Sequence, residues 1–304
     1  MENFSDDVKF VVTGGAGFVG NNIVKQLLKQ NHTPIVIDNL YRGKIERISS
    51  LDVEFHKVDI RNYDKLRDIL KNSDGIFHEA ALTDVQESFT KQQEYYDVNV
   101  KGTDNIFKIA KEFNLKVIYA SSSSIYGNPK KIPIKENSER IPINPYGKTK
   151  LDDEFLAEEH SKNNVSIIGL RYFNVYGKGQ TDSYAGVITK FINRLKDKKS
   201  PIIYGSGTQL RDFIFVEDVA FANIAAMKSD VKNGFFNIGT GIGTSIQQLA
   251  EIMIAISELE LEPQYEKTLE GDIQSSQADT SLTESVLKWK YSMELKKGLS
   301  KNFN

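Results

Sequence analysis

Four consecutive serines, Ser121 to Ser124, interrupt the run "KVIYASSSSIYG", and Tyr146 and Lys150 stand four apart in "NPYGKTK". A serine hydroxyl is too weak an acid to do acid–base work alone, but it can hold a substrate hydroxyl in place. A tyrosine titrates near pH 10, and a neighbouring ammonium favours its phenolate, which brings it toward the range of a working acid or base. On a helix the four-residue spacing puts both side chains on one face. Taken singly, each feature has a plainer reading: the serines as a capped strand end, the Tyr–Lys pair as part of an amphipathic surface helix.

The motif that changes the balance lies upstream. "TGGAGFVG" sets Gly14, Gly17 and Gly20 at three-residue spacing, directly after "KFVV" and opening the helical pattern "FVGNNIVKQLLKQ". Glycines there allow a tight strand-to-helix turn and a close approach of backbone to ligand, so a pyrophosphate can sit on the free N–H groups of the helix start. Asp38 ends the next strand pattern, "PIVID". A carboxylate at that place accepts hydrogen bonds from the adenosine ribose and repels a 2′-phosphate, which favours NAD over NADP, although Arg42 nearby tempers the preference. The plainer alternative is a tight turn with Asp38 capping a loop.

These residues need a scaffold, and the sequence describes one. Short β-branched runs, "KFVVTG", "PIVIDN", "VEFHKVD", "GIFHEAA", "KVIYASS" and "VSIIGLRYF", alternate with longer amphipathic stretches. Strands that are continuously apolar rather than alternating predict a parallel sheet covered on both faces, an α/β doubly wound fold of the Rossmann kind. Beyond residue 173 glycine-rich turns separate shorter elements. We read residues 1–173 as a dinucleotide-binding domain and 174–304 as a smaller α/β substrate lobe, interleaved with the first because no Pro/Ser/Gly linker divides them.

The composition narrows the function. The chain has 304 residues, 39% hydrophobic and 26% charged, with 39 basic against 41 acidic side chains and a pI near 6.2. No bulk charge draws it to nucleic acid or an anionic membrane, so an anionic ligand must meet a local site. It contains no cysteine, which excludes disulfides and a cysteine nucleophile, and its four histidines lack ligand spacing, so we expect no metal. No run has the roughly 18 apolar residues that span a bilayer, and the acidic start is unlike a signal peptide, so the expected location is cytoplasmic.

Over nearly its whole length the sequence resembles the extended short-chain dehydrogenase/reductases, and among them the nucleotide-sugar 4-epimerases of the UDP-galactose 4-epimerase type. The segments that carry the resemblance include "TGGAGFVG", "DNL", "HEAAL", "YYDVNVKGT", "SSSSIYG", "NPYGKTK", "LRYFNVYG", "GSGTQLRDFIFVEDV" and "GDIQSSQAD". The resemblance implies that NAD is held by Gly14, Gly17, Phe18 and Val19, by Asp38 and Asn39 at the ribose, and by Asp59 and Ile60 at the adenine. It further implies Ala80, Ala81, Leu82 and Asn99 along the channel, and Tyr146 and Lys150 at the nicotinamide end.

The family's catalytic hydroxyl lies four residues before the tyrosine of its "YG" pair, which selects Ser122, leaving Ser123 and Ser124 to shape the pocket and Ser121 to satisfy local backbone. Related 4,6-dehydratases carry acids just after that hydroxyl, and UDP-glucuronate decarboxylases a Glu in the segment; neither acid is present here. A redox-neutral inversion at C4 of a UDP-hexose or UDP-N-acetylhexosamine is the implied reaction. The alternatives are a uronic acid epimerase or reductase of the same family, or a non-catalytic NAD-binding protein.

The resemblance also implies a nucleotide-sugar substrate held by Asn174, Arg211 and Asp272, and a homodimer formed through two helices. An ion pair with Asp212 or Asp218 is the plainer role for Arg211. Ser276 aligns with a position that in some relatives holds a bulky aromatic against an N-acetyl group, and a small residue there suggests that acetylated sugars are accepted. One departure concerns the diphosphate: the family's arginine two residues before "GD" is Leu269 here, followed by Glu270, with Lys267 as the nearest substitute cation.

Overall fold

The computed structural model describes residues 8–180, 186–268 and 273–303. Asp272, Leu269 and Glu270 lie outside the described residues. The six apolar runs form β1 (Phe10–Thr13), β2 (Ile35–Ile37), β3 (Glu54–His56), β4 (Gly75–His78), β5 (Lys116–Ser122) and β6 (Ile167–Tyr172). Later strands are β7 (Asn174–Tyr176), β8 (Ile202–Tyr204), β9 (Leu210–Phe215), β10 (Asn233–Ile238), β11 (Gly243–Ser245), β12 (Gln264–Glu266) and β13 (Ser275–Ser276).

The helices in the first half are α1 (Phe18–Lys29), α2 (Tyr63–Leu70), α3 (Val85–Thr90), α4 (Gln92–Tyr95), α5 (Gly102–Phe113) and α6 (Pro145–Lys162). In the second half they are α7 (Val187–Lys196), α8 (Val216–Lys228), α9 (Ile246–Ser257), α10 (Ser281–Leu287) and α11 (Leu295–Phe303).

Among the described residues a seven-stranded parallel sheet runs in the order β10-β6-β5-β4-β1-β2-β3. The chain leaves β1 toward β2 and β3, then restarts on the other side with β4, so the carboxyl ends of β1 and β4 flank the crevice where doubly wound sheets bind ligands. Both faces are covered, as the apolar strands require. Phe10, Val12, Phe77 and Ile118 pack toward α1 and α8, while Val11, Ile76, Val117 and Tyr119 pack toward α2, α5 and α6.

A second, four-stranded sheet is built on β9, which pairs with β7, β11 and β13. Tyr176, Phe191, Phe213, Phe215, Leu249 and Met253 form its core beneath α7, α9 and α11. Strand β10 returns from this half to the edge of the large sheet, pairing Asn233 with Ile167 and Ile238 with Tyr172. No helix of the described residues is long and apolar enough to cross a membrane.

Candidate active site

Parallel register brings the last residues of β1, β2, β4, β5 and β6 to one edge, where a cleft of about 820 Å³ runs between the large sheet and the smaller lobe. At one end the glycine turn has the shape that its spacing demands. Gly14 adopts φ +67°, and a Cβ on it would lie 2.8 Å from the Ala80 nitrogen; one on Gly17 would lie 2.8 Å from the Gly14 carbonyl. Helix α1 begins at Phe18 with no side chain capping it, so its first N–H groups are available to an anion. Phe18 and Val19 line the cleft beside them. A cradle that side chains would fill, ending in an open helix start, fits a dinucleotide pyrophosphate.

Asp38 follows β2 and is buried. Its carboxylate accepts the Ala16 N–H at 3.1 Å and the Leu40 N–H at 2.8 Å. Burial pushes its pKa up, against those two bonds and the nearby Arg47. Arg42 lines the cleft, and its Nη2 donates to both Glu87 carboxylate oxygens at 2.9 and 3.0 Å. Asn39 lines the cleft and donates to Asp59 at 2.8 Å, and Asp59 in turn is held well below the usual carboxylate range by the Arg61 guanidinium. Asp59 itself does not line the cleft, whereas Ile60 does.

Ala80, Ala81 and Leu82 continue from β4 along the cleft wall. Asn99 stands behind them rather than among them: its amide bonds Leu82 on both backbone atoms, at 2.8 and 2.9 Å, and Thr149 at 3.0 Å. All its polar atoms are thus engaged with protein, and it acts on the cleft through Leu82.

The same cleft is lined by the hydroxyl and ammonium groups. Strand alternation sends Ser121 and Ser122 to different environments. Ser121 donates to Glu154 at 2.7 Å inside a buried ion cluster in which Glu154 also meets Arg171 at 2.8 Å and Arg140 at 2.9 Å. Ser122 lines the cleft and accepts the Ser124 N–H at 3.1 Å, starting a short helical turn over 123–126. Ser121 and Ser124 also line the cleft and Ser123 does not, and the Ser121 hydroxyl serves the Glu154 carboxylate rather than the local backbone expected for it.

Helix α6 is started by Asn144, whose side chain accepts the Gly147 N–H at 2.8 Å, with Pro145 in the first turn. That start aims Tyr146 and Lys150 into the cleft, both buried. Lys150 donates to Asp153 Oδ2 at 3.1 Å, and the other Asp153 oxygen has no partner among the described residues. Burial pushes Asp153 up to about 7 against the pull of Lys150. Burial pulls the Lys150 ammonium down, but Asp153, Tyr146 and Glu79 more than offset it.

Three residues that sequence reasoning missed complete this group. Asn223, from α8, donates to the Tyr172 hydroxyl at 2.7 Å, and Tyr172, at the end of β6, donates to Glu79 at 2.9 Å. Glu79 lines the cleft, and burial pushes its carboxyl up to about 8, opposed by the Tyr172 bond and Lys150. The signal for Glu79 was a carboxylate directly after the apolar run "GIFH"; Tyr172 and Asn223 carried none. His78 turns away from the cleft and lies between Thr13 and Thr103 at 2.7 and 2.9 Å, pushed down to about 3 by burial and Lys150, hence neutral.

On the small-lobe side, Asn174 lines the cleft and donates to the Asp212 carbonyl at 3.3 Å. Arg211, on β9, donates to the Leu210 carbonyl at 2.8 Å and is outside the cleft lining. The Asp212 carboxylate is taken by Thr240, Gly241 and Ala278, and that of Asp218 by Ser292 and Met293. Ser276 is buried in β13 opposite Arg211, also outside the cleft lining, and Lys267 is exposed.

The family model described as NAD dependent epimerase/dehydratase family matches residues 10–239. A UDP-glucose 4-epimerase of Thermotoga maritima, solved with UDP-glucose, is 31% identical and superposes with a TM-score of 0.94 over 97% of each chain. A UDP-N-acetylglucosamine 4-epimerase of Methanobrevibacter ruminantium, solved with UDP-N-acetylmuramic acid, is 35% identical with a TM-score of 0.93 over 98% of each. A UDP-N-acetyl-alpha-D-glucosaminuronate decarboxylase of Bacillus cytotoxicus is 33% identical over 254 residues, 79% of this chain and 78% of that one.

Proposed function

Since the chain belongs to the NAD dependent epimerase/dehydratase family, we propose that it inverts C4 of a UDP-linked hexose or N-acetylhexosamine through a 4-keto intermediate. One observation carries this reading: Ser122, Tyr146 and the buried Lys150 line the same cleft as the nucleotide turn, and serines rather than carboxylates follow Ser122. Related dehydratases and decarboxylases carry acidic residues in this segment, where Ser123 and Ser124 stand here.

When bound, NAD supplies a reversible hydride acceptor on one face of the sugar. Gly14, Gly17 and the start of α1 hold its pyrophosphate, and Asp38 with Asn39 holds the adenosine ribose. Ser122 orients the C4 hydroxyl, and Tyr146 removes its proton. The Lys150 ammonium stabilises the charge on the tyrosine oxygen and has a donor to spare for a ribose hydroxyl. After the ketone turns over, Tyr146 returns the proton to the new hydroxyl.

Asn174 and Arg211 would hold the nucleotide diphosphate from the smaller lobe. In this reading Arg211 turns from the Leu210 carbonyl toward the cleft when substrate arrives. The homodimer would form through α5 and α6, where Tyr96, just before α5, and Phe155, on α6, stand 42% and 49% exposed.

The test is incubation with UDP-glucose, UDP-N-acetylglucosamine and UDP-glucuronate without added reductant, with C4-inverted products read by NMR. Tyr146→Phe should cut turnover at least about 100-fold while NAD stays bound. No inversion of any sugar by NAD-loaded wild type would overturn the proposal, and turnover of the uronate alone would move the substrate class.

A further inference from the structure

Glu79 and Asp153 both face the one buried ammonium at the reacting end. Lys150 contacts Asp153 at 3.1 Å, while Glu79 feels it only at longer range and otherwise receives the hydroxyl of Tyr172 at 2.9 Å. One ammonium balances one carboxylate. Glu79 is half-buried in the cleft wall, and once a ligand covers it the remaining carboxyl is driven to stay protonated or to find a second positive charge, because an uncompensated charge is costly in a poorly solvated place. The other titratable groups packed here, Tyr146 on α6 and Tyr172 on β6, bring no positive charge, and His78 on β4 is neutral and turned toward Thr13 and Thr103.

A ligand can bring that charge. If Tyr146 takes the C4 hydroxyl proton, the hydride acceptor must lie within contact of the same carbon, so the nicotinamide ring lies at this end of the cleft. The oxidised ring is a cation and the reduced ring is neutral. We infer that Glu79 is a redox-linked acid: ionised opposite the oxidised ring, it takes up a proton when the ring's charge is lost, and so holds the bound cofactor toward its oxidised form. The inference rests on the epimerase reading above and deepens it by assigning a residue outside the Ser–Tyr–Lys set.

The balance is simple. Breaking the C4–H bond moves two electrons and the hydrogen nucleus to the ring, and the hydroxyl proton goes to Tyr146. Where Glu79 responds, one further proton passes from solvent to it, and returns to solvent when the hydride goes back to the sugar. An enzyme that keeps its cofactor has a use for this, since a molecule left reduced after losing its ketone is inactive. The Glu79 carboxyl, pushed up to about 8 by burial against the Tyr172 bond, already sits where such a gain and loss is possible near neutral pH.

The test equilibrates NAD-loaded enzyme against redox dyes of known potential at several pH values around 8, reading reduced cofactor by its near-ultraviolet absorbance. At its maximum near neutral pH, wild type should take up about half a proton more per reduction than hydride transfer alone requires, the most that a one-unit pKa difference between the redox states allows. Glu79→Gln, which keeps a partner for Tyr172, should lose that extra uptake and raise the reduced-to-oxidised ratio about tenfold on the alkaline side. Tyr172→Phe removes the hydrogen bond but keeps the carboxyl, so it should keep the extra uptake; a purely positioning role for Glu79 would make the two variants alike. Wild type that epimerises but shows only the hydride stoichiometry would overturn the inference and leave the epimerase intact. Wild type that neither holds NAD nor turns over a UDP-sugar would overturn both.

Discussion

The two ends of the cleft solve the same electrostatic problem with different materials. At the nucleotide end the polar groups come from one short stretch of chain: Gly14, the start of α1, and Asp38 held by the Ala16 and Leu40 amides. At the reacting end they come from the residue after β4 and from β5, α6, β6 and α8, as Glu79, Ser122, Lys150, Tyr172 and Asn223. Backbone donors are fixed once the turn forms, and they do not titrate. Side chains drawn from five parts of the chain are fixed only when the whole sheet is assembled, and their charges depend on one another.

That contrast can be broken at either end. The largest effect should come from Lys150→Met, which leaves Asp153 buried without its partner and Tyr146 without its cation. Turnover should fall about 100- to 1,000-fold, and a stability loss of about 3 kcal/mol or more should accompany it, read by NMR assay and by denaturant unfolding. Undiminished stability would mean that Asp153 is protonated in the native protein.

A smaller and different loss should follow Asp38→Asn. NAD affinity should drop about tenfold by calorimetry, with turnover at saturating NAD nearly unchanged, because a charge-assisted bond to the ribose is weakened while the reacting end is untouched. A large fall in saturated turnover would show that the ends are coupled.

The smallest effect lies in the cofactor-free protein. A carboxyl whose pKa is raised in the folded state binds a proton that the unfolded chain releases, so its contribution to stability declines as pH rises from the ordinary carboxylate range through the folded value. For Glu79 that window runs from 4.5 to about 8, and Asp153, raised from 3.8 to about 7, slopes the same way. Thermal unfolding of wild type should therefore weaken from mildly acid to mildly alkaline pH, and Glu79→Gln should flatten part of that decline. NAD should flatten it too, by supplying the missing counter-charge.

The contrast also explains what could be read in advance. The glycine turn, Asp38 and the Tyr–Lys pair are local patterns, legible because three- and four-residue spacings map directly onto a turn and a helix face. All six apolar runs became strands of the parallel sheet, because burial on both faces leaves an unmistakable composition. The seventh strand was not legible: "NGFFNI" is short, begins with Asn and Gly, and owes its place to β6. The Glu79–Tyr172 and Tyr172–Asn223 bonds join residues 93 and 51 apart, and no periodicity in a single sequence reports such pairings. Asp153 was legible only as one more acid on a charged helix; its burial against Lys150 depends on α6 lying flat on the sheet.

Strand β10 has a consequence for how the protein is made. The outer backbone edge of β6 has no partner until residues 233–238 arrive, 66 positions after the start of β6. At about 5–20 residues per second that is several seconds of synthesis during which an apolar strand, destined for burial on both faces, presents an open row of N–H and C=O groups. A nascent chain stopped between β9 and β10 would already possess the glycine turn, Tyr146 and Lys150, yet would be a template for pairing with other chains rather than an enzyme. Completion of the larger sheet therefore waits on a strand that the chain reaches only after much of the smaller lobe has been made.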